Sequence, residues 1–263
     1  MYRRIKLLKN GFKRSFGYSS CSRSMKTPFH NVDYNYSKTT NFTAYEVETT
    51  TLDNGMRICS SPYHGDFITI GVAIKSGSCY ETKDIQGVTH FLEKLAFGGG
   101  YEWEMLVSFR DVLLYALSIN KNGLDVALDV LNETVFKPDF NECELRRAKN
   151  TVTRDLQAMD NNQDKTNLVI ELAHEAAYAG TTLGSPKFCL KPAIENMNAV
   201  TLYSFISKYH TPNRMVLTAI GVDHAELVEK AESIFTAKST TTLTEEASKY
   251  LGGNKIARIF ITM

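Results

Sequence analysis

GVTHFLEKLAF, residues 87–97, is the stretch that decides the fold prediction. Its apolar residues recur at i, i+3, i+4, i+7 and i+8, which is the spacing of an amphipathic helix facing a core. The segment before it, FITIGVAIKSG at residues 67–77, is rich in β-branched residues and ends at a glycine. That composition predicts a strand, so the domain is expected to contain both kinds of element.

Further strands and helices are predicted on both sides of this stretch. Asp53-Asn-Gly55 lies between two β-prone runs and predicts a hairpin. Capping boxes at Asp139–Glu142 and Asp223–Glu226 predict the starts of a long helix through about Met159 and of a last helix. Other strands are predicted at 112–119 and 214–221, and other helices at 122–136, 167–178 and 200–210. The sequence therefore predicts an α+β domain, with helices packed on one mostly antiparallel sheet.

Charge is distributed unevenly along the 263 residues. The formal net charge is +1, but residues 1–32 hold eight basic residues and no acidic ones, so the remainder carries −7. Hydrophobic residues make up 43% and charged residues 22%, as in a globular chain. The acidic remainder has no basic patch that would indicate nucleic-acid binding.

The N-terminal sequence MYRRIKLLKNGFKRSFGYSS has the composition of a targeting segment. As a helix it would have one basic face and one apolar face, because Ile5, Leu8, Phe12 and Phe16 recur three to four residues apart. We interpret residues 1–32 as a mitochondrial transit peptide, the alternative being a disordered basic tail. Residues 33–44 then form a linker, 45–248 a domain, and 249–263 the truncated start of a linker or second half.

His90, Glu93 and Lys94 form an incomplete zinc-peptidase motif. On a helix all three project from one face, opposite much of the apolar stripe. A complete H-x-x-E-H helix binds zinc through two imidazoles and activates a water with the glutamate. Lys94 stands where the second histidine would be, and a protonated ammonium has no lone pair with which to bind a metal. Spacing alone predicts a solvated polar face, and tight zinc binding is not expected.

Other motifs are weaker. His174-Glu175 begins an H-E-x-x-H pattern but has Tyr178 at the second ligand position. Gly98–Gly100 is not followed by the Lys-Ser/Thr of a phosphate loop and is interpreted as an ordinary loop. The remaining histidines have no partner at ligand spacing: His30, His64, His210 and His224.

Five further stretches accompany GVTHFLEKLAF in order along the chain: TTLDNGMRI (50–58), SGSCYE (76–81), HEAAYAGTTLGSPKFC (174–189), YHTPNRMVL (209–217) and YLGG (250–253). Together they resemble the pitrilysin family of inverted-motif zinc peptidases, from about Tyr45 to the end of the chain. FLEKLAF is similar in particular to members that have lost the metal site.

The resemblance implies a site and a role. Active members have histidine where Lys94 stands, and their third ligand is a glutamate that matches Asp155. His90, Glu93, Lys94 and Asp155 would then form a degenerate site with no catalytic role and no metal. The implied protein is a non-catalytic alpha subunit in the mitochondrial matrix. It would recognise basic presequences of imported proteins for a zinc-bearing catalytic beta subunit, and would need no cofactor of its own.

Three alternatives remain open. The chain could be a core structural subunit of the respiratory cytochrome bc1 complex, whose core proteins share this fold. It could be an active metallopeptidase that binds metal through His90, Glu93 and Asp155. It could also be a non-functional truncated isoform.

Two departures from the family bear on these alternatives. Residues 98–107 replace a segment that is roughly fifteen residues longer in the family, enough for about four helical turns. Family chains are also about twice as long, with a second homologous half that begins near a glycine-rich loop. Gly252-Gly253 is not that loop, so the resemblance implies an N-terminal half with an internal deletion.

Overall fold

The structure is a computed structural model, which describes residues 46–63, 65–96, 104–162, 164–238 and 248–253. The predicted transit peptide and linker lie outside these residues, as do His30, His64 and Gly98–Gly100. Residues 239–247 and the last ten residues also lie outside them.

One six-stranded sheet forms the frame of the described domain. Its strands stand in the order β1-β2-β6-β3-β5-β4, and only the β2–β6 pair is parallel. The prediction of a mostly antiparallel sheet is therefore confirmed. The strands are β1 (Glu48–Thr51), β2 (Arg57–Ser61), β3 (Phe67–Ile74), β4 (Glu104–Ser108), β5 (Leu113–Asn120) and β6 (Met215–Ile220).

The hairpin between β1 and β2 turns at the predicted residues. Gly55 has a φ of +88°, a left-handed conformation that favours glycine. Asn54 stabilises the turn, because its side-chain oxygen accepts a hydrogen bond from the backbone N–H of Met56 at 3.0 Å. The hairpin prediction is confirmed, and the parallel β2–β6 pairing joins the start of the domain to its end.

One face of the sheet is buried by helices. Side chains alternate between the two faces of a strand, and on β3 Val72 is fully buried while Phe67 is exposed. Val72 lies opposite Tyr115 on β5 and Leu217 on β6, both of which are also buried. The core therefore lies on this face of the sheet.

Seven helices accompany the sheet in the described residues. α1 packs against α3, α6 and β4, whereas α2 packs on β3, β5 and α7. The predicted helices are confirmed, with ends shifted by a few residues. The seven described helices are α1 (Val88–Leu95), α2 (Leu124–Phe136), α3 (Glu142–Asn161), α4 (Thr166–Ala177), α5 (Lys191–Ile194), α6 (Ala199–Tyr209) and α7 (His224–Ile234).

One of the two predicted capping boxes is wrong. α3 begins after Asn141, whose side-chain oxygen accepts from the backbone N–H of Glu144 at 3.0 Å, and not after Asp139. Phe140 is buried against the ring of Tyr203, so the chain packs into the core before the helix starts. The second box is confirmed, because Asp223 accepts from the N–H of Glu226 at 3.0 Å.

Two described elements were not predicted. β4 pairs only with β5 and forms one edge of the sheet, and its five residues are too few to show a clear period. The four-residue helix α5 is shorter than any periodic signal. Within the described ranges, no helix has the length and apolar character needed to cross a membrane.

Candidate functional site

The N-terminus of α1 is fixed by a buried carboxylate. Glu81 is 3% exposed and accepts hydrogen bonds from the backbone N–H groups of Gly87 and Thr89, both at 2.7 Å. The Thr89 hydroxyl donates a third bond at 2.7 Å. A negative side chain at this end satisfies N–H groups that have no partner within the helix and favours the helix dipole.

Glu81 itself lies in an unusual environment. Burial raises the pKa of its carboxyl group to about 7, although the hydrogen bonds from Gly87 and Thr89 oppose that shift. Gly87 adopts a φ of +93°, and a Cβ there would come within 2.5 Å of the Cβ of Cys189. The entry to α1 is therefore closely packed as well as hydrogen-bonded.

His90 is buried, so the prediction of a solvated polar face is wrong for this residue. Its ring is 3% exposed and meets the ring of Phe188 edge-on at 5.5 Å between centroids. The backbone N–H of Cys189 donates to Nδ1 at 3.3 Å. Burial, and next the charge of Lys94, hold the pKa of His90 below its ordinary value. The neutral ring then carries its hydrogen on Nε2, which lies 3.5 Å from Oδ2 of Asp155.

Lys94 links the two carboxylates of the predicted site. Its ammonium lies 2.8 Å from Oδ2 of Asp155 on α3 and 3.0 Å from Oε1 of Glu93. Burial alone would lower the pKa of Lys94, but the hydrogen bonds to Asp155 and Glu93 raise it above the ordinary value. The side chain is therefore a cation at neutral pH.

Both carboxylates are held in their ionised forms. Burial would raise the pKa of Glu93, but Ser108 and Lys94 lower it overall, and the Ser108 hydroxyl donates to Oε2 of Glu93 at 2.5 Å. The same balance applies at Asp155, whose pKa is lowered mainly by Lys94. The structure thus brings together all four residues of the predicted degenerate site and adds Ser108 from β4.

This arrangement does not fit a zinc ion. A zinc ligand needs a free lone pair, and the acceptor nitrogen of His90 is already engaged by the backbone N–H of Cys189. Lys94 has no lone pair, and its charge lies between the carboxylates that would face a metal. Glu93, the residue that would activate a water, is bonded to Ser108 and Lys94. Among the described residues, no group of three or more metal-binding side chains is arranged to hold an ion.

The second incomplete motif, on α4, gathers no such cluster. The ring of His174 stacks on Tyr178 at 6.0 Å, and Tyr178 meets Tyr250 edge-on at 5.9 Å. Nδ1 of His174 is buried and has no hydrogen-bond partner in the part of the chain that the structure describes. Within the described ranges, this histidine belongs to no group of three or more metal-binding side chains.

Sequence reasoning missed the ion pair that anchors α4. The guanidinium of Arg110 lies 2.8 Å from Glu171, and both side chains are largely buried. Arg110 also donates to the backbone carbonyls of Leu183 and Ser185, while Glu171 accepts from the N–H of Lys187. The two charged residues are 61 positions apart, so no local spacing could have indicated this contact.

The fold, and a helix that carries His90, Glu93 and Lys94 on one face, are those expected for a domain of the inverted-motif zinc-peptidase type. Comparison with known families agrees with this class. The profile described as "Insulinase (Peptidase family M16)" matches residues 57–191, and "Peptidase M16 inactive domain" matches residues 196–258. The chain belongs to peptidase family M16, which is the pitrilysin family indicated by the sequence resemblance.

Individual relatives are mitochondrial proteins by name. The chain is 37% identical over 203 residues to "Mitochondrial-processing peptidase subunit alpha" of Bos taurus, and 36% identical over 203 residues to that of Homo sapiens. Each match covers 71% of this chain but only 39% of the relative, so the chain spans well under half the length of these proteins. Among solved structures, a protease from Helicobacter pylori has the same fold. The TM-score is 0.67 and the identity 18%, over 78% of this chain and 54% of that one.

Proposed function

We propose that this chain acts as a non-catalytic, alpha-type subunit of the mitochondrial processing peptidase. One observation carries the proposal: the Lys94 ammonium lies 2.8 Å from Asp155 and 3.0 Å from Glu93, where an active relative needs a metal ion. A cation that cannot activate water keeps the two carboxylates together without providing hydrolysis. Catalysis would then belong to a zinc-bearing beta subunit.

The cluster has a structural role in this proposal. Lys94 and His90 on α1 both reach Asp155 on α3, so the polar contacts hold these two helices together. The mitochondrial names of the relatives support a mitochondrial location, and we infer the matrix as the compartment. Residues 1–32 would direct the chain there as a removable transit peptide.

Recognition of basic presequences is the activity that we assign to the chain. Its residues 33–263 carry a net charge of −7, which favours long-range attraction of a basic peptide. The match covers 39% of the length of the bovine processing-peptidase alpha subunit. We therefore propose presequence recognition only for the surface formed by the residues of this chain.

A cleavage assay tests the proposal. A fluorescent presequence peptide is incubated with the chain alone, with a catalytic beta subunit alone, and with both, each with zinc. We expect cleavage above the level of the beta subunit only in the mixture. Cleavage by the chain alone, abolished by His90→Ala, would overturn the non-catalytic assignment. A folded chain that neither binds the beta subunit nor increases cleavage would contradict the alpha-subunit assignment.

A further inference from the structure

A small open groove lies where α1 and α2 end, beside the start of α3 and the body of α6. Its volume is about 250 Å³. That is room for one large apolar side chain and is below the size usual for a small-molecule site. Its apolar lining includes the side chains of Leu92, Leu95, Phe140 and Ile206.

Acidic side chains surround this apolar lining. Glu133 on α2, Asp139 before α3 and Glu144 on α3 line the groove, with Lys137 as the one cation among its described residues. None of the three carboxylates forms an ion pair within the described part of the chain. Asp125, on the same helix as Glu133, is by contrast paired with a lysine. With three carboxylates and one ammonium, the described lining of the groove has a formal net charge of −2.

The ends of two helices add to the negative potential. α1 ends at Leu95 and α2 ends at Phe136, and the last residues of both helices line the groove or lie next to it. The C-terminal end of a helix carries a partial negative charge and favours cations. The surface around this apolar pocket therefore favours the binding of positively charged groups.

We propose that this acidic groove binds a peptide segment in which one large apolar side chain lies next to basic residues. The apolar side chain fills the pocket, and lysine or arginine side chains of the same peptide reach Glu133, Asp139 and Glu144. The proposal rests on the proposed function and adds the place on the surface where a presequence is recognised. It also identifies the two features of the peptide that are recognised there.

A peptide of the required chemistry is present in this chain. Residues 1–20 contain six basic residues and no acid, with Phe12 and Phe16 among them. A synthetic peptide of that sequence, labelled with a fluorophore, is the probe. The binding protein begins at Asp33, because the buried core residues that the structure describes lie between Leu52 and Phe235 and are all retained. A thermal melt checks that this protein and each variant are folded.

Fluorescence anisotropy then measures the affinity for matched variants. The groove variant is Glu133→Gln/Asp139→Asn/Glu144→Gln. Its control removes the same number and kinds of charge at exposed positions that do not line the groove, Asp129→Asn/Glu142→Gln/Glu229→Gln. We expect the groove variant to bind about tenfold more weakly, since several ion pairs are lost together, and the control to change less than about twofold.

A second pair of variants tests the pocket itself. Thr134 lines the groove and is half-buried, so Thr134→Phe fills the space whereas Thr134→Val keeps the shape. We expect about a tenfold loss for the phenylalanine variant and little change for the valine variant. A probe with both phenylalanines replaced by serine should bind the native protein and the Thr134→Phe variant equally weakly.

The outcomes separate this inference from the proposed function. Losses confined to the groove variants support it. Tight binding of the probe that no groove variant weakens would overturn the groove assignment and leave presequence recognition at another surface. A folded native protein that does not bind the probe would overturn both the groove assignment and presequence recognition by this chain.

Discussion

Two helices of this chain each carry a zinc-peptidase motif with one residue replaced, and the fold treats them differently. On α1, the replaced residue Lys94 contacts Glu93 and reaches Asp155 on α3. On α4, the replaced residue Tyr178 stacks on His174 and no described carboxylate pairs with the histidine. Ligand spacing within one helix is therefore not sufficient to form a polar cluster. The cluster on α1 forms because Asp155 is supplied by α3.

The two helices also differ in how they are held. Five of the eight residues of α1 are buried, and its N-terminus is closed by Glu81. None of the twelve residues of α4 is fully buried, and the helix is anchored through the Arg110–Glu171 ion pair. Changes at α1 should therefore reduce the stability of the whole domain, and changes on the outer turns of α4 should not.

The largest expected effect is a pH dependence at the start of α1. The pKa of Glu81 is raised by burial from 4.5 to about 7 in the folded chain. Its contribution to stability is therefore fully present below about pH 4.5 and is lost as the pH rises through 7. Urea unfolding measures the free energy of unfolding at pH 5 and pH 8. Between these two pH values it should fall by about 2 to 3 kcal/mol more in the native chain than in Glu81→Gln.

The Glu81→Gln variant is the reference for the native chain in this comparison, because the glutamine side chain does not titrate. Any other group that titrates between the two pH values contributes equally to both proteins. A difference that is the same at pH 5 and pH 8 would show that the carboxylate keeps an ordinary pKa, with the N–H groups of α1 outweighing burial.

A smaller effect is expected from Lys94→Met. The substitution leaves Glu93 and Asp155 without their cation, and we expect the free energy of unfolding to fall by about 2 kcal/mol. The value is below that of a fully buried pair because the Asp155 side chain is 37% exposed. Chemical denaturation at pH 7 measures the loss.

Lys191→Met is the matched control for this prediction. Lys191 forms an ion pair of the same length with Asp160, but both side chains are more than half exposed. Its loss should cost less than about 1 kcal/mol. Equal losses for the two variants would mean that the cluster on α1 is an ordinary surface ion pair.

The smallest effect is expected at the second motif. His174→Phe keeps the stacking on Tyr178 and removes a ring nitrogen that has no described partner. We expect the free energy of unfolding to change by less than about 0.5 kcal/mol, as for substitutions that break no specific interaction. A loss as large as that of Lys94→Met would show that His174 has a partner essential to the fold.

Sequence patterns predicted most elements of the fold because those elements follow local rules. The hairpin at Asn54-Gly55, the helix from Val88 and the capping box at Asp223 depend on residues a few positions apart. The start of α3 was misplaced because Phe140 packs against Tyr203, which is 63 positions away. A capping pattern spans only four residues and therefore contains no information about such a distant contact.

The candidate site was predicted only in part. Spacing identified His90, Glu93 and Lys94, and family resemblance supplied Asp155. Spacing also predicted a solvated face, but His90 is buried under Phe188 and Cys189, which are about 100 positions further along the chain. Neither Glu81, the last residue of the SGSCYE stretch, nor Ser108 was assigned a role, since their roles arise from hydrogen bonds that form only in the folded domain.

Metal content directly tests the proposal that the Lys94 ammonium takes the place of a metal ion. The folded chain is incubated with zinc, dialysed and assayed for bound metal, and its melting temperature is measured with and without a chelator. We expect less than stoichiometric zinc and a melting temperature that the chelator leaves unchanged. One tightly bound zinc per chain, lost in His90→Ala, would contradict the proposal.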